Sequence, residues 1–167
     1  MLKRLFLALL FVMFLAPIKA QTLNWHLTAQ AGTVKNDFNN FQGAFLAGFE
    51  SIEGQQLSFG PVVKGYLANS EYKNVVGGRI YSQAKVVENL SFYIQCDIFS
   101  GAKSIITDTR SPVRLESGAG AIYTFYKTLG LSAGYNFGEY NLLSGIRKNS
   151  PSIKLVYIMP LTSNRGW

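Results

Sequence analysis

The sequence predicts an all-β protein: an eight-stranded antiparallel up-and-down transmembrane β-barrel, preceded by a cleaved signal peptide. Three observations predict it. Apolar residues recur with period two along most of the chain after residue 20, bounded by Gly, Asn, Ser and Pro. The alternating runs span about 9 to 16 residues, longer than the ~5–6 of soluble sheets and long enough for a tilted strand to cross a bilayer. Of 167 residues only 15% are charged, while 14% are aromatic and 16 are glycine. A soluble domain carries roughly a quarter charged residues. The length bounds the chain to one domain. A single Cys and a single His exclude an internal disulfide and argue against a Cys/His metal centre, so no cofactor or metal is expected.

Residues 1–20 read as an export signal. Lys3 and Arg4 precede the unbroken apolar run Leu5 to Leu15, which is too short for a membrane-crossing helix, and Ala20 offers a cleavage point before Gln21. The remaining domain is 21–167. Without Lys3, Arg4 and Lys19 the net charge falls from +7 to +4. The remaining basic residues are scattered, which gives no support to nucleic-acid binding.

The strands follow in order. In the first, about 23–34, Trp25, Leu27, Ala29 and Ala31 oppose His26, Thr28 and Gln30. The second, about 41–51, sets Phe41, Phe45, Ala47 and Phe49 against Gln42 and Glu50. The third, about 56–68, alternates weakly, and Pro61 would interrupt a ladder because it has no N–H. In the fourth, about 74–87, Ile80, Ala84 and Val86 oppose Arg79, Tyr81, Gln83 and Lys85. The fifth, about 89–101, is the clearest: Leu90, Phe92, Ile94, Cys96 and Ile98 against Ser91, Tyr93, Gln95 and Asp97. The sixth, about 112–127, sets Ala119, Ala121, Tyr123 and Phe125 against Arg114, Glu116, Gly118 and Gly120. In the seventh, about 129–138, Leu129, Leu131, Ala133, Tyr135 and Phe137 oppose Gly130, Ser132, Gly134 and Asn136. The eighth, about 152–161, alternates through Ile153, Leu155, Tyr157 and Met159. The connections alternate too. Short links at 52–55, 88 and 128 face longer ones at 35–40, 69–73, 102–111 and 139–151, with Asn141 to Arg147 read as part of the last long hairpin. Tight turns on one rim and longer loops on the other characterise outer-membrane barrels.

The polar face decides which environment the apolar face meets. A water-facing strand surface would carry many Lys and Glu. Here it carries Ser, Thr, Gln, Gly and Tyr, which suit the narrow interior of an eight-stranded barrel. Its ionisable residues have both signs: Glu50, Asp97 and Glu116 with Lys64, Arg79, Lys85, Arg114 and Lys154. Buried charges must pair, so these are expected to form an internal network, with Glu50 and Glu116 as partners of Arg79 and Arg114. Tyr66, Tyr81, Tyr123, Tyr126, Tyr135 and Tyr157 are candidates for an interfacial aromatic girdle.

On the leader, the eight alternating strands, Tyr135-Asn-Phe-Gly138 and the ending from Ile153 to Pro160, the chain resembles the small eight-stranded bacterial outer-membrane β-barrel proteins of the Bacteroidetes type, similar in architecture to OmpA and OmpX. The resemblance implies a monomer in the outer membrane, contact with outer-membrane lipid and lipopolysaccharide, and assembly by the barrel-assembly machinery. Members usually end on an aromatic residue that closes the last strand; here Thr162 to Gly166 separates Leu161 from Trp167.

The chemistry on offer is sparse. The lone His26 lies on the polar face, where it can reach Ser132 or Ser91 as base to nucleophile, but no flanking motif supports that pair. Cys96 belongs to the apolar face and reads as a small hydrophobe. Basic residues of the predicted longer loops, Lys35, Lys73, Lys103, Arg110, Arg147 and Lys148, are candidates for contact with lipopolysaccharide phosphates or a partner. The expected role is structural or surface-interactive rather than enzymatic. The alternatives are a small-solute pore, a soluble lipocalin-like binder of apolar ligands and a lipid A-modifying enzyme.

Overall fold

A strand with one apolar and one polar face must place each against its own environment, and closing the sheet on itself does this for every strand at once. The computed structural model of the chain describes residues 24–34, 40–51, 54–66, 75–100, 113–140 and 147–161. The predicted leader and its cleavage point lie outside them. The strands are β1 (Asn24–Val34), β2 (Asn40–Glu50), β3 (Gln55–Tyr66), β4 (Val75–Val87), β5 (Leu90–Ser100), β6 (Val113–Tyr126), β7 (Leu129–Tyr140) and β8 (Arg147–Pro160). Each pairs antiparallel with its neighbours in sequence, and β8 pairs with β1, so the fold is all-β and a closed eight-stranded barrel.

The register fixes the strand tilt. Cross-strand partners lead from Asn24 through Glu50, Gln56, Gln83, Tyr93, Gly120, Gly134 and Ser152 to Val34. One circuit returns to β1 ten residues further along. A stagger of this kind requires the strands to lean at roughly 35–45° to the barrel axis.

Two connections are two-residue turns, Glu88–Asn89 and Lys127–Thr128, and a third spans 51–54. All lie on the rim where β1 starts and β8 ends, closed by the Leu161 N–H donating to the Trp25 carbonyl. The other connections, 35–39, 67–74, 101–112 and 141–146, are longer and lie outside the described residues. Each two-residue turn is preceded by a register shift, between Lys85 and Val87 and between Thr124 and Tyr126. The shift is a β-bulge, which adds a residue to one strand and re-aims its side chains. Val86 and Val87 both face outward in consequence, as do Phe125 and Tyr126.

The last hairpin differs from the sequence expectation. Instead of a loop over 139–151, β7 runs to Tyr140 and β8 starts at Arg147, with Tyr140 opposite Arg147 and Glu139 opposite Lys148. Pro151 thus lies inside β8. Its place is tolerant, because β1 partners begin only at Ser152 and one edge of β8 has no neighbouring strand there among the described residues. A bulge between Asn136 and Glu139 absorbs the mismatch in β7. Gly138 sits in it with φ +70, a left-handed conformation that glycine adopts without steric cost, and donates its N–H to Asn149 Oδ1 at 3.2 Å. Pro61 acts as expected: β2–β3 partners lapse between Ala44↔Val62 and Ala47↔Phe59.

Among the described side chains of the strands, no Lys, Arg, Asp or Glu lies on the outward face. It presents apolar side chains such as Phe45, Phe59, Phe92 and Leu115, each more than half exposed. The inward face holds both the buried apolar residues and the buried polar ones. Tyr81 and Tyr93 stack with ring centroids 5.5 Å apart, beside buried Leu46, Ile122 and Val156. Glycines on the two adjoining strands admit the Tyr93 ring along the wall: a methyl at Gly134 would collide with its hydroxyl, and one at Gly120 would lie 2.8 Å from its ring edge. Gly134→Ala is therefore expected to cost about 1–3 kcal/mol in a urea titration of the folded barrel, and Tyr93→Leu in the same chain to recover part of it.

Candidate functional site

The lumen holds the charged residues, and its centre is an ion pair. Arg79 on β4 and Asp97 on β5 are direct cross-strand partners. Arg79 Nε donates to Asp97 Oδ1 and Nη2 to Asp97 Oδ2, both at 2.7 Å, a bidentate fork. The third guanidinium nitrogen, Nη1, donates to Gln30 Oε1 on β1 at 2.6 Å. Gln42 on β2 and Gln95 on β5 donate to Asp97 Oδ2 at 3.3 and 3.4 Å. Gln95 Nε2 also reaches Asn136 Oδ1 on β7 at 3.4 Å, and its Oε1 accepts from Lys154 Nζ on β8 at 2.6 Å. Arg79 and Asp97 are 1% and 2% exposed, so this is a charge pair taken out of water and held by polar side chains from most of the barrel wall.

A second pair joins β3 to β6: Lys64 Nζ bonds the Glu116 carboxylate. Lys64 also lies 5.0 Å from the ring centre of buried Phe99, a cation–π contact. The two pairs draw on residues far apart in sequence and leave the lumen crossed by side chains.

Of the eight residues expected in the lumen network, five meet in these two clusters: Lys64, Arg79, Asp97, Glu116 and Lys154. Arg79 takes Asp97 rather than Glu50, and Glu116 bonds Lys64. Glu50 and Lys85 share the inward side of their strands but lie at the tight-turn rim, where Lys85 is exposed and Glu50 partly buried. The Arg114 side chain lies outside the described residues.

At that rim the lumen opens into a cavity of about 510 Å³, lined by His26, Glu50, Gln56, Gln83, Lys85 and Ser91 among others. His26 is buried and shares a 2.9 Å hydrogen bond between Nε2 and Ser58 Oγ. Its serine partner is thus neither Ser91 nor Ser132. Sequence reasoning passed over Ser58 because the weak alternation around Pro61 hid the inward face of β3. The inward set Gln56, Ser58, Val62 and Lys64 does keep an even-numbered spacing that marks it.

Of the candidate girdle, Tyr123, Tyr126, Tyr135 and Tyr157 face outward, Tyr81 faces the lumen, and the Tyr66 side chain lies outside the described residues. Cys96 lies on the outward face, half-buried. Among the basic candidates for surface contact, Lys35, Lys73, Lys103 and Arg110 lie outside the described residues. Arg147 and Lys148 belong to the start of β8 rather than to a loop.

The sequence matches no protein-family model and no curated protein. Among solved structures it is similar to a de novo designed transmembrane β-barrel, with 16% identity and a TM-score of 0.49, covering 85% of this chain and 100% of that one. A second de novo designed protein, TMB2.3, solved by solution NMR, gives 14% identity and a TM-score of 0.49 over 87% of this chain and 99% of that one.

Proposed function

We propose that the chain is an integral outer-membrane protein of the small eight-stranded bacterial type, similar in architecture to OmpA and OmpX. In this reading it is exported by a signal peptide and inserted by the barrel-assembly machinery. One observation carries it: among the described side chains the outward face of the strands has no charge, while Arg79, Asp97, Glu116 and Lys154 are all turned inward. In water that arrangement would leave a continuous apolar belt exposed, far beyond what monomeric soluble proteins show. In a bilayer it is the required one, because lipid meets the apolar set and the lumen takes the polar one. A lipocalin-like binder has the opposite arrangement.

The role that fits is structural or interactive rather than catalytic. The lumen is crossed by the Arg79–Asp97 and Lys64–Glu116 clusters, which favours a closed barrel over a small-solute pore. Activity then falls to the rim with the longer connections, where Lys35, Lys73, Lys103, Arg110, Arg147 and Lys148 supply positive charge suited to lipopolysaccharide phosphates.

Fractionation tests this. The protein is expected in the membrane fraction, requiring detergent for extraction, with a gel mobility that changes on boiling. Recovery in the soluble fraction with unchanged mobility would refute the membrane assignment. In planar bilayers no single-channel current is expected; a steady conductance would replace the structural reading with the pore.

A further inference from the structure

The cavity at the tight-turn rim has two unlike walls. On one side, Asn24, Glu50, Gln56 and Gln83 form a single cross-strand row over β1 to β4, and Lys85 pairs with Ser91 nearer the rim. On the other side, β6 to β8 turn Ile122, Gly130, Val156 and Ile158 toward the same space. Gly130 keeps that side flat: a methyl there would lie 2.9 Å from the Ile122 side chain. Gln56, Gln83 and Ser91 are 8%, 5% and 5% exposed, so they sit inside the mouth rather than on the outer surface. His26 Nδ1 and Gln56 Oε1 have no hydrogen-bond partner among the described residues, although both side chains line the cavity. Neither the Arg79–Asp97 cluster nor the Lys64–Glu116 pair draws on any of these residues.

The two walls restrict what fits between them. Besides His26, the ionisable groups of the lining are Glu50, Glu88, Lys85 and Lys127, balanced in sign, so no net charge selects an ion. A wholly apolar molecule would strip water from Gln56, Gln83 and Ser91 and return no hydrogen bond. An extended peptide is recognised largely through main-chain hydrogen bonds to an open sheet edge, and this sheet closes on itself. A hydroxyl-bearing ring meets both walls. Its hydroxyls donate and accept, so they suit Gln56 whichever end of the amide they meet, and its C–H face covers the aliphatic side. The volume, about 510 Å³, lies in the range of small-molecule sites.

We propose that this cavity binds a neutral saccharide, with ring hydroxyls bonded to Gln56, Gln83 and Ser91 and the C–H face of the ring laid against Ile122, Val156 and Ile158. The polar row sets the orientation of the ring, and the flat side at Gly130 admits it edge-on into the mouth. The site rests on the cavity alone and stands whether or not the membrane role proposed above holds, which fractionation tests separately.

The full chain, isotope-labelled and folded in dodecylphosphocholine, is to be titrated with maltose, with N-acetylglucosamine and with the dipeptide glycyl-leucine. Detergents with sugar head groups are avoided because they would fill the site. The side-chain amide NMR signals of Gln56 and Gln83 are expected to shift saturably with at least one sugar, half-complete at about 1–10 mM, and not with the dipeptide. Gln56→Leu removes a hydrogen-bonding amide and is expected to raise that concentration about tenfold, read at Gln83, and Ser91→Ala to raise it about threefold. Should Gln56→Leu fail to fold, Ser91→Ala and the wild-type chain decide the matter. Three results would overturn the proposal: no saturable shift with either sugar up to about 100 mM, an equal response to glycyl-leucine, or variants that bind as the wild type does.

Discussion

Asp97→Ala is expected to destabilise the barrel by about 3–5 kcal/mol, the range found when one member of a buried ion pair is removed. The change takes both acceptors from the Arg79 fork and leaves a guanidinium at 1% exposure with Gln30 as its one remaining acceptor among the described residues. Gln42 and Gln95 lose their common acceptor at the same time. Arg79→Met together with Asp97→Leu is expected to recover most of the loss, because a matched apolar pair avoids the desolvation that the ion pair must offset. Urea titration of the detergent-folded protein, followed by the gel shift between folded and unfolded forms, reads both. If Asp97→Ala lay within about 0.5 kcal/mol of wild type, the surface-substitution range, the pair would be solvated and the lumen open. If the double replacement stayed as unstable as the single, the pair would be holding the wider amide network rather than itself.

The second large effect belongs to the outer face. Phe45 sits midway along β2, points outward and is 53% exposed. In a bilayer Phe45→Arg places a charge near the hydrocarbon midplane and is expected to cost about 2–4 kcal/mol, whereas Tyr126→Arg at the tight-turn rim should cost about 0–1 kcal/mol. The gradient between the two positions is the signature of lipid. On a barrel surrounded by water both changes would stay within about 0.5 kcal/mol. Folding titrations of the two variants into lipid vesicles separate these outcomes without any knowledge of the biological role.

Much of this was legible in the sequence for a simple reason. A two-residue period is a property of each strand alone, so β1, β5 and β7 announce both their existence and their faces in a short window of residues. The inward placement of Arg79, Asp97, Glu116 and Lys154 follows from the same parity. Which of these meet does not, because pairing depends on register. Counting back from the Glu88–Asn89 turn with Val87 opposite Leu90 would set Arg79 against Ile98, whose side chain points the other way. The bulge between Lys85 and Val87 slides the strands by one residue and delivers Asp97 instead. Nothing in Val86 or Val87 as residue types signals that bulge. The start of β8 was hidden for a different reason. Pro151 reads as a strand breaker until the neighbouring strand is seen to have ended before it. The role of Ser58 needed the register: His26 lies opposite Gly48 on β2 and Gly48 opposite Ser58 on β3, so the two side chains meet along the wall over a glycine, which cannot be read from either strand alone.

The ten-residue stagger of the circuit also limits how the molecule can change. Because side chains alternate in direction, a closed sheet can gain or lose stagger only in steps of two; a step of one would turn a strand inside out where it meets its neighbour. The bore of the barrel is therefore quantised. A tighter closure would narrow a lumen already occupied by the Tyr81–Tyr93 stack, and a looser one would part Lys64 from Glu116. Single-residue insertions and deletions within the strands can survive only if a local kink takes up the odd residue, as Gly138 does. Drift in length is thus channelled to the rims, and the interior behaves as a gauge that accepts one bore.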